Sequence, residues 1–461
     1  MKKIVILLLL IGFVVNSFAV SLDELLDGYA QNDTELAELL IKLDQQKISL
    51  QKTYVQQGIN VNLTSGNTVI EFADGAPVFS VAPKVTLDIP HINSSLSAST
   101  SFQDEEIKDT SIDFSTKLID GVSNNRDLVI EKAERDLELA ERAIDERLTA
   151  LQIAFYNDLK KLYSKQNAVS TAQDDLIEKQ EAFELVKTQG YSESSVNYRT
   201  KEISVKTAEW NIEESERTFN TTLNDFLVAC GFERNAITEV PALPSSIFTT
   251  TIASINDFDT SNYKNLEQAM WNINYSNKQL DAQNDFTLNA DFGYANSINP
   301  MTDKQENSAS AGLSANWSGF KFSTNFEIPF EDTANKKLNL ALTWDLNTSK
   351  NYSLDKQKDI LDEKLNELSE QKALDNFEKQ IENSLTDEKD LKWQKENKLE
   401  ELDLYEQLYI DTQGWYKQGL VSSSDLLRAK TDYERSLISA NEVLIDILIH
   451  NLELTQLFIQ E

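Results

Sequence analysis

The sequence predicts an α+β membrane protein in which a transmembrane β-barrel continues into a long α-helical coiled coil, with the whole plan made twice. Three observations predict this class: a leader-like first segment, blocks of alternating apolar and polar residues, and very long stretches of helical periodicity. Composition narrows the field further. The 461 residues carry a formal net charge of −33, which argues against nucleic acid, because phosphates are held by clustered Lys and Arg.

Residues 1–19 have the pattern of a signal peptide. Lys2 and Lys3 precede the apolar run from Ile4 to Val15, which is too short to span a bilayer as a helix. The small residues before position 20 predict cleavage after Ala19. Because no second long apolar segment follows, this chain would have to enter a membrane as a β-barrel.

The rarest residue types argue against an enzyme. The single cysteine, Cys230, excludes a disulfide framework and cysteine-based metal sites. The two histidines, His91 and His450, are too far apart in sequence to suggest a metal site or a catalytic pair. We therefore expect no catalytic residues, no cofactor and no bound metal.

The chain contains an internal repeat. The segment from Gln189 to Lys201 matches the segment from Gln418 to Lys430, with Gln-Gly, Ser-Ser, Arg and Lys recurring at an offset of 229 residues. The predicted first repeat, 20–230, has a helix, barrel strands at about 59–119 and a long helical hairpin at about 122–230. A connector follows at 231–261. The second repeat, 262–461, has a helix, strands at about 286–347 and a hairpin at about 352–460.

The strand blocks alternate with a period of two, which a barrel wall between lipid and water requires. In the second half one apolar face begins with Phe286, Leu288, Ala290, Phe292 and Tyr294. Four such runs are counted in each half, and the first-half runs are Ile59–Leu63, Phe79–Ile89, Ile92–Phe102 and Ile112–Leu118. The alternation leaves open a soluble β-sandwich, although a sandwich would not explain the helices.

The predicted connections differ in length. Segments 295–307, 331–337 and 103–109 read as long polar loops, and Ser318-Gly319 and Pro90-His91 read as tight turns. The helices are also unusually long, because no proline or glycine interrupts the chain from about Asn124 to Gln189. At 1.5 Å per residue such a stretch extends roughly 100 Å.

These features together resemble the TolC-like outer-membrane efflux (outer membrane factor) family. The resemblance covers essentially the whole chain after the signal peptide, and three segments carry it: 21–26, 118–121 and, most specifically, 416–427 at the second helical turn. It implies a trimer whose strands form one shared barrel in the outer membrane and whose helices form a periplasmic tunnel. It also implies a passive exit duct for efflux or type I secretion.

The resemblance further implies site residues and partners. Tyr416 and Asp425 match positions that narrow the tunnel entrance, and Arg428 stands where the family often has an acidic residue. An Asp425–Arg428 pair and an N-cap role for Asp425 both remain open. Gly190 with Tyr191, and Gly419 with Leu420, match turns that dock a periplasmic adaptor.

The partners implied are two further copies of the chain, the adaptor (membrane fusion) protein, an inner-membrane pump of ABC, RND or MFS type, and outer-membrane lipid. Nucleic acid is not expected. The alternative is a coiled-coil spike or adhesin anchored by a barrel, without an open channel. The paired turns favour the duct, because a spike would not need two equivalent turns.

Overall fold

The structure is a computed structural model that describes residues 21–66, 68–71, 78–103, 106–119, 125–282, 286–299, 304–331 and 335–459. The predicted signal peptide, residues 1–19, lies outside the described residues. The chain folds as two compact units. Unit 1 comprises Met1–Ala37, Asp145–Asp259 and Gln380–Glu461, and unit 2 comprises Glu38–Ile144 and Thr260–Lys379.

The described residues contain eight α-helices. They are α1 (Leu22–Gln31), α2 (Thr34–Gln56), α3 (Asn125–Thr188), α4 (Val196–Ala229), α5 (Ser245–Phe248), α6 (Lys264–Ala282), α7 (Leu346–Lys417) and α8 (Ser423–Leu457). The two longest, α3 and α7, start in unit 2 and end in unit 1. They end at Thr188 and Lys417, and 417 − 188 gives the same offset of 229 as the repeat.

Unit 1 has a helical core. Apolar residues spaced three or four apart bring one face of α3 against faces of α1, α4 and α8. The most deeply buried members of this core are Leu25, Phe155, Leu159, Leu162, Leu227, Leu444, Ile445 and Ile447. Cys230 lies among them with 1% of its surface exposed, so it acts as a buried apolar residue. Burial raises the pKa of its thiol to about 12.

The connector of unit 1 is held by side chains from the long helices. It contains α5 and a short 3₁₀ turn, Ile255–Asp257. A second 3₁₀ turn, Thr260–Asn262, lies in unit 2. Asn451 of α8 accepts from the Ala253 amide at 2.8 Å and donates to the Thr251 carbonyl at 2.9 Å. Asn451 therefore anchors the connector to α8.

Unit 2 contains one antiparallel sheet. Its strands are β1 (Asn60–Thr64), β2 (Thr68–Glu71), β3 (Val78–Val81), β4 (Lys84–Ile89), β5 (Ser94–Gln103), β6 (Glu106–Ile119), β7 (Phe286–Asn299), β8 (Lys304–Trp317), β9 (Phe320–Pro329) and β10 (Lys337–Trp344). The main path runs β1-β4-β5-β6-β7-β8-β9-β10, and β2 and β3 branch from it through β5. Strands of the two halves meet where β6 pairs with β7.

The strand register keeps the apolar residues together. Phe292 of β7 lies opposite Phe114 on one side and Ala311 on the other. Leu342 of β10 lies opposite Phe322 of β9. Because side chains alternate between faces, this register places the apolar residues of successive strands on the same face. The sequence-predicted alternation is confirmed for the second half.

The first half differs from the sequence prediction. The expected run at 79–89 is two strands, because Ala82 and Pro83 interrupt it and proline has no amide hydrogen to donate to a ladder. The run expected to start at Ile92 begins at Ser94, after a 3₁₀ turn at Pro90–Ile92. A short turn at Pro90-His91 is therefore confirmed.

Two of the loops expected to be long are mostly strand. Strand β6 begins at Glu106, and β7 and β8 stay paired as far as Asn299 and Lys304. Their polar side chains hide the strand signal, whereas backbone pairing does not depend on side-chain polarity. The Ser318-Gly319 turn is tight as predicted, and both of its residues have positive φ, as a two-residue hairpin turn requires.

An ionic cluster joins α3 to α6 in unit 2. Arg135, with only 3% of its side chain exposed, donates to Glu267 Oε1 at 2.8 Å and Oε2 at 2.6 Å. Arg142 also donates to Glu267, at 2.9 Å. Burial alone would raise the pKa of Glu267, but the hydrogen bonds from these two arginines lower it below its usual value.

Candidate functional site

The first candidate region is the apolar face of the sheet in unit 2, called here the apolar face. Its large side chains are substantially exposed, and they extend from β1 to β10. Exposed members of this face include Val61, Leu63, Val85, Leu96, Ile112, Phe292, Leu313, Trp317, Phe322, Leu338, Leu340, Leu342 and Trp344. Leu63 has 75% of its surface exposed and Leu342 has 74%. A contiguous apolar surface of this extent marks a contact with lipid or another protein.

The opposite, polar face of the same sheet is lined by hydroxyl, amide and charged groups. Ser99 and Ser111 share a hydrogen bond of 2.8 Å across β5 and β6. Ser115 donates to Asp291 Oδ1 at 2.6 Å across β6 and β7. Glycine at position 293 allows the strands to approach closely here, because a Cβ added to it would lie only 2.7 Å from Ser310 Oγ. The two faces therefore suit different environments, one apolar and one aqueous.

The second candidate region is the pair of helical turns in unit 1. Gly190 and Gly419 have φ of +76° and +75°, and each ends a long helix with the same hydrogen bonds. The Tyr191 amide donates to the Val186 carbonyl at 3.4 Å, and the Leu420 amide donates to the Trp415 carbonyl at 3.0 Å. This pattern is the Schellman motif, in which glycine provides the left-handed conformation.

Each turn is completed by a serine that caps the next helix. Ser195 accepts from the Tyr198 amide at 3.3 Å, and Ser422 accepts from the Asp425 amide at 3.1 Å. The Asp425 carboxylate in turn accepts from the Ser422 amide at 2.9 Å and from its hydroxyl at 2.7 Å. These bonds lower the pKa of Asp425. Asp425 is thus the N3 residue of a capping box, and the N-cap itself is Ser422.

Arg428 does not make its hydrogen bond with Asp425. Its Nη2 donates to Glu181 Oε2 at 3.0 Å, which links α8 to α3. Seven residues further along α8, Arg435 donates to Asp174 Oδ2 at 3.1 Å. Burial, followed by the nearby Asp432 charge, raises the pKa of Asp174. Local sequence does not point to either acidic partner, but Glu181 and Asp174 repeat the seven-residue spacing of Arg428 and Arg435, which is a detectable signal.

The remaining predicted site residues lie at the turns and are accessible. Tyr416 is 43% exposed and contributes its carbonyl to the turn, accepting from the Gly419 amide at 2.9 Å. Tyr191 and Leu420 are 44% and 68% exposed. The structure thus brings Tyr416, Gly419 and Leu420 together in one turn, and it places Gly190 with Tyr191 in the other.

No helix in the described part of the chain is both long enough and apolar enough to cross a membrane. Two family models match the chain. Residues 25–247 match the TP096X N-terminal domain, and residues 248–461 match the TP096X C-terminal domain. Together they account for residues 25–461, so the chain belongs to the family that these two domains define.

The chain is also similar to individual proteins. An uncharacterized protein of Treponema pallidum (strain Nichols) is 26% identical over 410 residues, which are 86% of this chain and 72% of that protein. Among solved structures, CusC has a TM-score of 0.47 at 12% identity and covers 95% of this chain and 91% of its own. The outer membrane protein VceC of Vibrio cholerae has a TM-score of 0.46 at 13% identity, with 94% of each chain covered.

Proposed function

We propose that this protein is a passive outer-membrane channel that serves as the exit duct of an efflux or secretion system. The observation that carries the proposal is the exposed apolar face of the sheet, backed by a polar face on the same strands. Strands in an outer-membrane barrel alternate in this way, with apolar side chains toward lipid and polar side chains toward water. Lipid is therefore the proposed environment of Leu340 and Leu342.

The edges of the sheet support closure between copies. Along the main path, β1 and β10 are the end strands among the described residues. Neighbouring strands on this path are all antiparallel. The path contains eight strands, an even number, so β10 of one copy can pair antiparallel with β1 of the next. Three copies would give a closed sheet of 24 strands, within the range of known barrels.

The helical turns supply the proposed contact with the rest of the export system. Two turns with the same glycine geometry, at Gly190 and Gly419, offer an adaptor two equivalent sites per copy. Tyr191 and Leu420 provide exposed side chains next to them. An inner-membrane pump would then deliver substrate into the periplasmic helical part of the duct.

The proposed tunnel entrance contains Tyr416, Asp425 and Arg428. In a trimer, three Asp425 carboxylates would form an acidic ring, and such rings favour cations over anions. Hydrogen bonds from Ser422 lower the pKa of Asp425, which favours its charged form. The formal net charge of −33 acts in the same direction.

Single-channel recording in a planar lipid bilayer tests this proposal. We expect cation-selective currents from the purified protein, and we expect Asp425→Ala to weaken the selectivity. Asp225→Ala is the matched control, because Asp225 is also an exposed helical carboxylate but lies in α4, far along the chain from either turn. Silent bilayers from confirmed trimers would favour the barrel-anchored spike. Currents unchanged by Asp425→Ala would keep the channel and remove the acidic entrance.

A further inference from the structure

Helix α4 carries a row of exposed side chains, whereas the matching row on α8, its counterpart in the internal repeat, packs against α3. The row, called here the α4 row, follows the spacing 0, 3, 7, 10 and 14 and therefore lies on one face of the helix. It consists of Val196, Arg199, Ile203, Lys206 and Trp210. Its apolar members are unusually accessible, with Val196 83% exposed, Ile203 63% and Trp210 64%.

The internal repeat shows what such a row does elsewhere in unit 1. Adding 229 to each number converts the α4 row into a row on α8: Asp425, Arg428, Asp432, Arg435 and Ser439. In α8 the two arginines of this row pair with α3, Arg428 with Glu181 and Arg435 with Asp174. This face of α8 is thus the contact between the first hairpin and the second.

The same offset identifies the surface that the α4 row would fit. It converts Glu181 and Asp174 of α3 into Ile410 and Asp403 of α7. Ile410 is 58% exposed, and Asp403 is also exposed. The α3–α8 contact between hairpins, once translated, becomes a contact between α4 and α7.

We propose that the α4 row packs against the face of α7 around Asp403 and Ile410 in a second copy of this chain. Charge complementarity supports that occupant, because the translated ion pair is Lys206 with Asp403 and the translated neighbour of Arg199 is Ile410. The apolar side chains of Val196 and Ile203 would be covered by Ile410. The proposal rests on the proposed assembly of several copies and adds the surfaces that join them.

In the single chain, Lys206 and Asp403 make only weak contacts within their own helices, and these could be replaced by a contact with another copy. Lys206 pairs with Glu209 of its own helix at 2.6 Å, with both side chains well exposed. Asp403 accepts from Gln407 Nε2 at 2.9 Å within α7. Exposed pairs of this kind contribute little to stability. One heptad further from the turns, the offset places Glu213 opposite Glu396, so the charge complementarity is confined to Lys206 and Asp403.

Cross-linking of the full-length protein in lipid vesicles tests the proposed contact between α4 of one copy and α7 of the next. Lys206→Cys and Asp403→Cys are combined in a Cys230→Ala background and treated with a short bis-maleimide, because a paired Lys and Asp hold their Cα atoms further apart than a disulfide spans. We expect cross-linked dimers and trimers on a denaturing gel. The control combines Lys206→Cys with Leu404→Cys, one residue along and about 100° around α7, and should yield far less. Equal yields, a cross-link within one chain, or no cross-link would overturn the proposal.

A charge exchange gives an independent measurement of the same pair. Lys206→Glu and Asp403→Lys should each reduce the amount of oligomer that survives in detergent, and the double variant should restore it. Lys206→Glu also loses the contact with Glu209, but that loss persists in the double variant, so recovery reports on Asp403. If the double variant does not restore the amount of oligomer, the proposed contact between Lys206 and Asp403 is contradicted. Channel currents from copies that do not cross-link would support the proposed channel and contradict the α4–α7 contact. Cross-linked copies that carry no current would support the contact and contradict the channel.

Discussion

At the scale of single residues, the backbone conformation of two glycines defines the helical turns. A Cβ added at Gly190 or Gly419 would meet nothing within 4 Å, so the positive φ and not the available space requires glycine there. We expect Gly419→Ala to destabilise the protein by about 1 kcal/mol, since a left-handed alanine is strained by that amount. Gly414→Ala is the control. Gly414 lies within α7 with equally open space, and alanine there should stabilise by about 1 kcal/mol. Thermal unfolding followed by circular dichroism measures both changes.

The contribution of Asp425 to the stability of the start of α8 depends on pH. Its pKa is lowered in the folded protein by the hydrogen bonds from Ser422, so its contribution to stability is present above its unfolded pKa and is lost as pH falls through the lower, folded value. We expect Asp425→Ala to lower the unfolding midpoint at neutral pH and to have progressively less effect below about pH 4. A difference from the original protein that is independent of pH would show that the capping box does not involve the charged carboxylate.

The sequence identified the residues of the turns better than their partners. The glycines, the capping serines and Asp425 lie within a few positions of one another, and local rules for helix ends predict them. The partner of Arg428 was missed because Glu181 is 247 residues away and only the packing of α3 on α8 brings it near. Local sequence offered Asp425 instead, whose carboxylate is occupied by Ser422.

At the scale of elements, the docking of α6 on α3 depends on a buried arginine. Removing Arg135 would leave Glu267 and Glu138 in a partly buried cluster with less positive charge. We expect Arg135→Ala to cost about 3 kcal/mol, as for the loss of one partner from a buried ion pair. Lys278→Ala is the control on the same two helices, because the Lys278–Glu131 pair is exposed and should contribute at most about 1 kcal/mol. Equal effects in thermal unfolding would contradict the role of burial.

The strands show where periodicity stops being informative. In the second half, apolar residues at every second position predicted the strands and their faces. Where polar residues occupy both faces, as from Lys304 to Asn307, the pattern predicted a loop although backbone pairing continues. The sequence therefore predicted which residues share the apolar face but underestimated how far the sheet extends.

At the scale of the whole molecule, the central claim is that the two faces of the sheet meet lipid and water. The claim follows from side chains that alternate across ten strands and from an apolar surface that no soluble monomer would normally expose. The alternation of apolar and polar residues does not specify how many copies assemble or how their strands align, because every strand has the same alternating pattern. The sequence therefore predicted the kind of sheet but not how it closes.

Labelling of adjacent residues on one strand tests this claim most directly. Leu313 belongs to the apolar face of β8, and Ser314 belongs to its polar face. In a Cys230→Ala background and in lipid vesicles, Ser314→Cys should react with a water-soluble maleimide, whereas Leu313→Cys should react only after unfolding. Phe322→Cys and Ser323→Cys on β9 should repeat the contrast. Equal reaction at both residues of each pair would contradict a lipid-facing sheet, and protection of both would contradict an open, water-filled channel.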